Sequence, residues 1–338
     1  MTAPLAQTFT EDNAFRFTPD VKNGHVESYF LRANHPTERK AVWLKATILA
    51  PLDGPAVAEA WCCTFDGDAG RVWGKRVTVP AAEATFGDEI DVGGCRLKLG
   101  LDEGSAVGTL GDRSWDLKWR PVAGALGAPL FIPFSRKLIE APFPKSKLVT
   151  PSPALRFSGT MRWGDETVDL DGWTGMQGHN WGNQHAHTYA WGQCVFLDGD
   201  GEPYCMAEGF SARILIGSWL TPVLSGLTVR HGGRAYRFSR LVDLWRQRAE
   251  MGASSWSLRM RGSDGEAMLS MRARPEDVAC LGYTNPDGHL SYCLNSKMAA
   301  TTLRVNPVNG DAFECHSPHG GALEFLQRDP DPRYPDVV

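Results

Sequence analysis

Apolar and polar residues alternate with a period of two along many short stretches of this 338-residue chain. Val42–Leu49 alternates and stops at Pro51, and Arg71–Val79 alternates and stops at Pro80. Arg96–Leu101, Val107–Leu110 and Ser114–Trp119 are shorter runs parted by Gly, Asp and Glu. A period of two turns one face toward a core and the other toward solvent, so these runs predict strands. Turn residues separate them, among them Asp53-Gly54, Gly93-Gly94, Gly232-Gly233, Asp264-Gly265 and Asn309-Gly310. Long 3.6-residue periodicity is hard to find, and 36 Gly and 22 Pro are scattered along the chain. Short strands with Gly-rich turns predict an antiparallel all-β sandwich or barrel. The βα alternation of a parallel sheet is missing, as are Gly-x-Gly-x-x-Gly and phosphate-loop motifs.

The likeliest seam is the stretch punctuated by Pro133, Pro142, Pro144, Pro151 and Pro153. Proline cannot donate to a β ladder, so this stretch reads as a crossover rather than a central strand. It predicts one β domain over residues 1–150 and a second over 151–338.

Composition narrows the class. The hydrophobic share of 42% and charged share of 22% are those of a globular domain. Net charge is −4, and Lys and Arg are dispersed, which argues against a nucleic-acid partner. The first ten residues lack a basic n-region and an apolar h-region, and no run approaches a membrane span. A cytoplasmic protein without an integral membrane segment is the expectation. Eight Cys without a C-x-x-C pair read as buried thiols. Nothing in the sequence marks an oligomer interface.

Candidate chemistry concentrates between Gly172 and Gln193, where three His, three Trp, a Tyr and several amides gather. Read as one strand, His185, His187, Tyr189, Trp191 and Gln193 share a large, titratable face. Ala186, Thr188, Ala190, Gly192 and Cys194 share a small one. Such a face suits the wall of an apolar cavity that moves protons. Trp173 and Trp181 add further rings that could stabilise positive charge. A second possibility is a metal site on the paired His185 and His187, with His179 close by; it needs a third ligand, a carboxylate or another His, for which Glu208 and Asp198 are near in sequence. Asn295-Ser296-Lys297, within Tyr292–Ala299, could supply polar groups to a site, but the stretch reads first as a strand ending at a barrel rim. No Gly-x-Ser-x-Gly nucleophile elbow occurs.

Several phrases together resemble the lipocalin-like (calycin) superfamily of carotenoid 1,2-hydratases, AttH-like proteins and tocopherol cyclases. They are Glu27-Ser28-Tyr29-Phe30-Leu31-Arg32, Ala41-Val42-Trp43-Leu44-Lys45, Phe157-Ser158-Gly159, Gly178-His179-Asn180-Trp181-Gly182 and Asn295-Ser296-Lys297. The resemblance implies two consecutive lipocalin-like antiparallel β-barrels or half-barrels with a small hydrophobic molecule held at or between them. It implies a hydratase, isomerase or cyclase acting by proton transfer on a terpenoid- or polyene-like substrate, without a cofactor. His179 and Trp181 match the family phrase, and Tyr189 and Trp191 match it loosely. The acidic residue that precedes this His in the hydratase branch is Gly178 here. That leaves His179 itself, or Glu208, as the catalytic group. Trp173, Asn180, Trp181, His185, His187, Tyr189, Trp191 and Gln193 would hold the substrate, with Asn180 and Gln193 positioning water or a polar head. Two other readings stay open: a non-catalytic lipid or pigment carrier, and a metal-dependent β-barrel enzyme.

Overall fold

The computed structural model describes residues 3–130, 136, 139, 141, 145–240, 243, 247–334 and 336–337. A helix absent from the sequence expectation, α1 (Ala3–Asn13), precedes the sheets. The first sheet begins with β1 (His25–Asn34), β2 (Lys40–Ala50), β3 (Val57–Asp66) and β4 (Arg71–Pro80). It continues with β5 (Glu89–Val92), β6 (Cys95–Lys98), β7 (Gly104–Leu110) and β8 (Arg113–Pro121). It ends with β9 (Ser146–Trp163), β10 (Glu166–Asp169) and β11 (Thr174–Gly182). The spatial order is β4-β3-β2-β1-β11-β9-β8-β7-β6-β5, with β10 pairing β9.

The next strands are β12 (Thr188–Leu197), β13 (Pro203–Arg213), β14 (Leu215–Ile216), β15 (Trp219–Leu220), β16 (Leu224–His231) and β17 (Arg234–Arg237). Then come β18 (Arg248–Gly252), β19 (Ser255–Gly262), β20 (Gly265–Arg272), β21 (Ala279–Thr284), β22 (Leu290–Pro307) and β23 (Phe313–Gln327). The second sheet has the order β17-β16-β13-β12-β23-β22-β20-β19-β18, with β21 pairing β22. β14 and β15 form a separate two-stranded hairpin. The expected all-β, antiparallel architecture is what the chain adopts. Two of the expected turns show the mechanism: Gly93-Gly94 and Gly232-Gly233 have positive φ at both central positions, as a tight two-residue hairpin requires.

Alternation sorts side chains into three cores. Tyr29, Leu31, Val42, Leu44, Ala60 and Cys62 point to the interior of the first sheet, among Trp115, Trp119 and Trp173. Ala190, Cys194, Phe196, Ala207 and Leu227 point to the interior of the second, against Trp256 and Met271. The third core lies between the two sheets. There Phe30, Ala41, Trp43, Trp61, Cys63 and Phe65 of the first pack on Trp191, Cys293, Ala322 and Leu326 of the second. β1 and β2 are therefore buried on both faces, although their sequences carry Glu, Arg and Lys. All eight cysteines are buried and none forms a disulfide.

Three sequence expectations need correction. Pro133, Pro142 and Pro144 lie outside the described residues, but Pro151 and Pro153 sit within β9. They are tolerated because β8 stops pairing with β9 at Leu155, and the β9–β11 register shifts beside them. The chain changes sheets between Gly182 and Thr188, later than the proline stretch, because β9, β10 and β11 all pair within the first sheet. The 172–193 window is not one strand: β11 ends at Gly182, residues 183–187 turn, and β12 starts at Thr188.

Candidate functional site

The break at residues 183–187 divides the imidazole-rich window between two environments. β11 carries His179 into the interior of the first sheet. Cross-strand pairing sets His179 opposite Tyr29 and Trp181 opposite Glu27. The His179 and Tyr29 rings stack with centroids 4.1 Å apart. His179 Nδ1 lies 2.6 Å from the Asp12 carbonyl oxygen and Nε2 lies 2.9 Å from Glu27 Oε1. Both of these oxygens are acceptors, so each ring nitrogen of His179 faces one and the ring is held from two sides.

Glu27 is the hub of this cluster. It accepts the backbone N–H groups of Arg16 and Phe17, the Tyr29 hydroxyl and His25 Nε2 as well as His179. Burial alone would raise its pKa, but the His179 and His25 bonds outweigh burial and hold the carboxyl at about 2. The segment after α1 is thereby fastened across the first sheet's interior. Asp12, whose carbonyl meets His179, also pairs through its side chain with Arg136. His179 is fully buried. Trp173 is likewise core, edge-on to His35 with its side chain among the interior rings.

The residues after the break assemble elsewhere. A cleft of about 160 Å³ opens between the two sheets. Val26, Phe30, Leu148, Trp181, Tyr189, Trp191 and Phe210 form its apolar wall. Asn180, Gln184, His185, His187, Lys145 and Lys147 add polar edges, and Glu324 reaches it from β23. The two-residue period holds on β12: Tyr189 and Trp191 face the cleft. On the opposite face Gly192 leaves room for Trp256 and Met271, which an added Cβ would meet at 2.9 and 2.4 Å. Gly178 has a comparable reason to be glycine. A Cβ there would lie 2.3 Å from the Phe30 ring, so an acidic side chain at this position would displace a wall of the cleft.

His185 Nδ1 is 2.8 Å from Asn285 Oδ1, while Asn285 Nδ2 donates to His289 O and Ser291 Oγ. That amide orientation makes Nδ1 the donor and leaves Nε2 an acceptor. Burial lowers the His185 pKa to about 4, so the ring is neutral. The His187 ring bonds only its neighbour Thr188.

Glu324 carries the chemistry that the window lacks. Its Oε1 accepts Lys297 Nζ at 2.6 Å and Asn295 Nδ2 at 3.0 Å. Lys297 Nζ stands 5.3 Å from the Trp43 ring centre and 5.6 Å from that of Trp191. A second ammonium, Lys45 Nζ, is caged by the rings of Tyr283 at 3.9 Å, Trp61 at 5.6 Å and Trp43 at 5.8 Å. Burial lowers the pKa of both lysines, and Glu324 opposes that shift. Burial also pushes the Tyr189 and Tyr283 hydroxyls well up, so both remain protonated. Lys297 thus pairs directly with Glu324, while Lys45 sits among aromatic rings and feels the same carboxylate at longer range.

Gln193 and Glu208 lie deeper between the sheets and do not line the cleft. Gln193 bonds Arg32 and donates to the Pro153 carbonyl at 2.7 Å. Arg32, fully buried, has its pKa lowered to about 10 by desolvation. Glu208 Oε1 accepts Thr150 Oγ1 at 2.7 Å and the Trp191 indole N–H at 3.1 Å. Burial raises its carboxyl to about 7 against those two bonds. Glu208 therefore touches the cleft only through Trp191.

Among the described residues no group of three or more His, Cys, Asp and Glu is placed to hold a metal ion. His185 and His187, the pair considered for that role, point to Asn285 and Thr188 instead. Sequence reasoning missed Lys45, Lys297, Glu324 and Tyr283 as site residues. Asn295-Ser296-Lys297 was expected at a strand end, yet it lies inside β22 and is buried. The signal available was parity: Ala41, Trp43 and Lys45 share a face, and a lysine on an aromatic face is out of place in a core.

No family model matches the sequence. The chain is 26% identical over 276 residues to the uncharacterized protein Rv0493c of Mycobacterium tuberculosis strain H37Rv, a match covering 82% of this chain and 80% of that protein. The uncharacterized protein MT0513 of strain CDC 1551 matches to the same extent. Among solved structures, the chain is similar to an AttH-like protein of Nitrosomonas europaea. The TM-score is 0.58 at 13% identity, covering 94% of this chain and 98% of that one. Kievitone hydratase from Nectria haematococca gives 0.54 at 13% identity, with 90% and 89% covered. CghA, solved with Sch210972, gives 0.60 at 11% identity, again with 90% and 89% covered. The chain thus has the lipocalin-like fold of these proteins, in agreement with the resemblance read from its sequence.

Proposed function

We propose that this protein is an enzyme that takes a small, largely apolar molecule into the cleft between its sheets and transforms it by proton transfer. The reaction class is hydration, isomerisation or ring closure of an unsaturated, terpenoid- or polyene-like substrate. One observation carries the reading: a carboxylate paired to a buried ammonium, Glu324 with Lys297, reaches an aromatic cleft that also holds a neutral imidazole. Acid and base side by side in a poorly hydrated site are what such chemistry needs. Lys297, its pKa lowered by burial, supplies the proton through the Glu324 oxygen it hydrogen-bonds, and the neutral His185 Nε2 takes up the proton that the substrate or the attacking water releases. Trp181, Tyr189 and Trp191 bind the hydrocarbon and favour developing positive charge, and Asn180 orients water or a polar head. His179 has the separate task of closing the first sheet. The fold is shared with a protein named as a hydratase and with one solved together with Sch210972, which supports a small-molecule role.

The test is mass spectrometry of small molecules released from purified wild type and Glu324→Gln. The reading expects the variant to retain a precursor and the wild type to yield a species that differs by water, or an isomer of it. Identical, unchanged molecules from both would move the protein to the carrier class.

A further inference from the structure

The hairpin β14–β15 stands apart from both sheets, held by a two-pair ladder around Gly217. A ladder that short contributes little stability of its own. It nevertheless carries Leu215, Ile216 and Trp219 exposed at 37%, 47% and 57%. Trp219 is the one aromatic among the large exposed apolar residues described. Exposed apolar clusters of this kind mark contact surfaces.

Its position gives the cluster a purpose. Ile214 and Leu215 line the cleft, so the exposed tip continues the cleft's apolar wall outward. Two more exposed leucines flank the turn that carries Asn285. The Leu52 N–H donates to the Pro286 carbonyl, the adjacent Asn285 bonds His185 of the cleft, and Leu290 pairs with Thr284 across the same turn. The charges around this end are mostly basic. Lys145 and Lys147 line the cleft, Arg213 and Arg328 act electrostatically on His187, and Arg16 lies 4.8 Å over the Trp181 ring. Asp329 is the acidic group acting on His187 there.

We infer that the β14–β15 hairpin is an interfacial anchor that sets the cleft mouth against an anionic lipid surface. The occupant is argued from charge and shape. A Trp with two aliphatic neighbours on a narrow tip, following Arg213 in the chain and continuing a cleft wall edged by Lys145, suits shallow insertion below lipid headgroups. Anionic headgroups would meet the basic rim. The tip is too small a patch for a stable interface with a second copy. Docking in this way would let an apolar substrate pass from the lipid phase to the cleft without crossing water. The anchor is independent of the catalytic reading, since vesicle binding and turnover are separate readouts.

The experiment is co-sedimentation of the full chain with vesicles of phosphatidylcholine and phosphatidylglycerol in equal parts. Neither Ile216 nor Trp219 lines the cleft. The double variant Ile216→Ser, Trp219→Ser is therefore expected to keep its circular dichroism and lose at least about tenfold in partitioning. Lys145→Glu with Arg213→Glu is expected to weaken binding to these vesicles and leave binding to pure phosphatidylcholine unchanged. Wild type remaining in the supernatant would overturn the inference. So would equal partitioning of the apolar double variant. Concentration-dependent dimers that the same variant abolishes would reassign the tip to a second copy.

Discussion

Two buried polar clusters lie on opposite faces of β1, and they differ in how fully their groups are satisfied. Inside the first sheet, Glu27 collects donors from His25, Tyr29, His179 and two backbone amides, and both His179 nitrogens are used. Between the sheets, Lys297 pairs with Glu324, and Lys45 lies against the aromatic faces of Trp43, Trp61 and Tyr283. In the first arrangement the Glu27 carboxylate is engaged on every side, as a fastening requires. The second is under-paired and reaches a cleft, and groups with unmet electrostatic demand are the ones that can act on a ligand. A histidine is thus read by what surrounds it, since His179 and His185 come from one short window and serve different ends.

The sharpest way to break this comparison is to exchange the effects of its two halves. Glu324→Gln is expected to reduce turnover by about a hundredfold or more in protein that still folds, although leaving buried Lys297 without its carboxylate also lowers the melting temperature. A variant that stays active would remove the cleft pair from the chemistry. His179→Ala should spare turnover in folded protein. It removes two buried hydrogen bonds and the ring stacked on Tyr29, and is expected to cost about 3–5 kcal/mol in denaturant unfolding, while the cleft is kept.

The carboxylates also predict opposite pH behaviour. Glu27 is depressed to about 2 from an ordinary 4.5, so its stabilisation is complete above pH 4.5 and disappears as pH falls toward 2. The loss is about 3 kcal/mol, and Glu27→Gln should flatten the acid limb of the stability curve. Glu208 is raised to about 7, so its penalty grows as pH climbs from 4.5 through 7. Glu208→Gln should therefore gain stability relative to wild type above pH 7 and not at pH 4, read from melting temperatures at each pH. Gly192→Ala, which meets Met271 and Trp256, should cost about 1–3 kcal/mol. His187→Ala should change stability by less than about 0.5 kcal/mol, because the half-buried ring bonds only Thr188.

Much of the fold was legible because it rests on local rules. The runs at 42–49, 71–79, 107–110 and 114–119 all lie within strands, and the Gly-Gly turns close hairpins. The aromatic side of Tyr189 and Trp191 and the small side of Ala190 and Gly192 were visible in their parity. The places where sequence reading failed depend on partners distant in the chain. Pro151 and Pro153 looked incompatible with a strand because the end of β8 and the β9–β11 register shifts cannot be seen locally. α1 has a weakly amphipathic sequence, and its residues are held by contacts from β11 such as His179 with Asp12. The Lys45–Lys297–Glu324 group unites β2, β22 and β23, whose residues meet only once the sheets pack. Local spacing carries no trace of that meeting beyond a lysine sharing a strand face with tryptophan.

The central claim is a location: the ligand sits between the sheets and not inside the first one. A crystal structure of Glu324→Gln with its co-purified or soaked apolar ligand tests it directly. The account predicts density against Phe30, Trp181, Tyr189 and Trp191, with a polar end toward residue 324. Density in the first sheet's interior, over Tyr29 and His179 with α1 displaced, would contradict it.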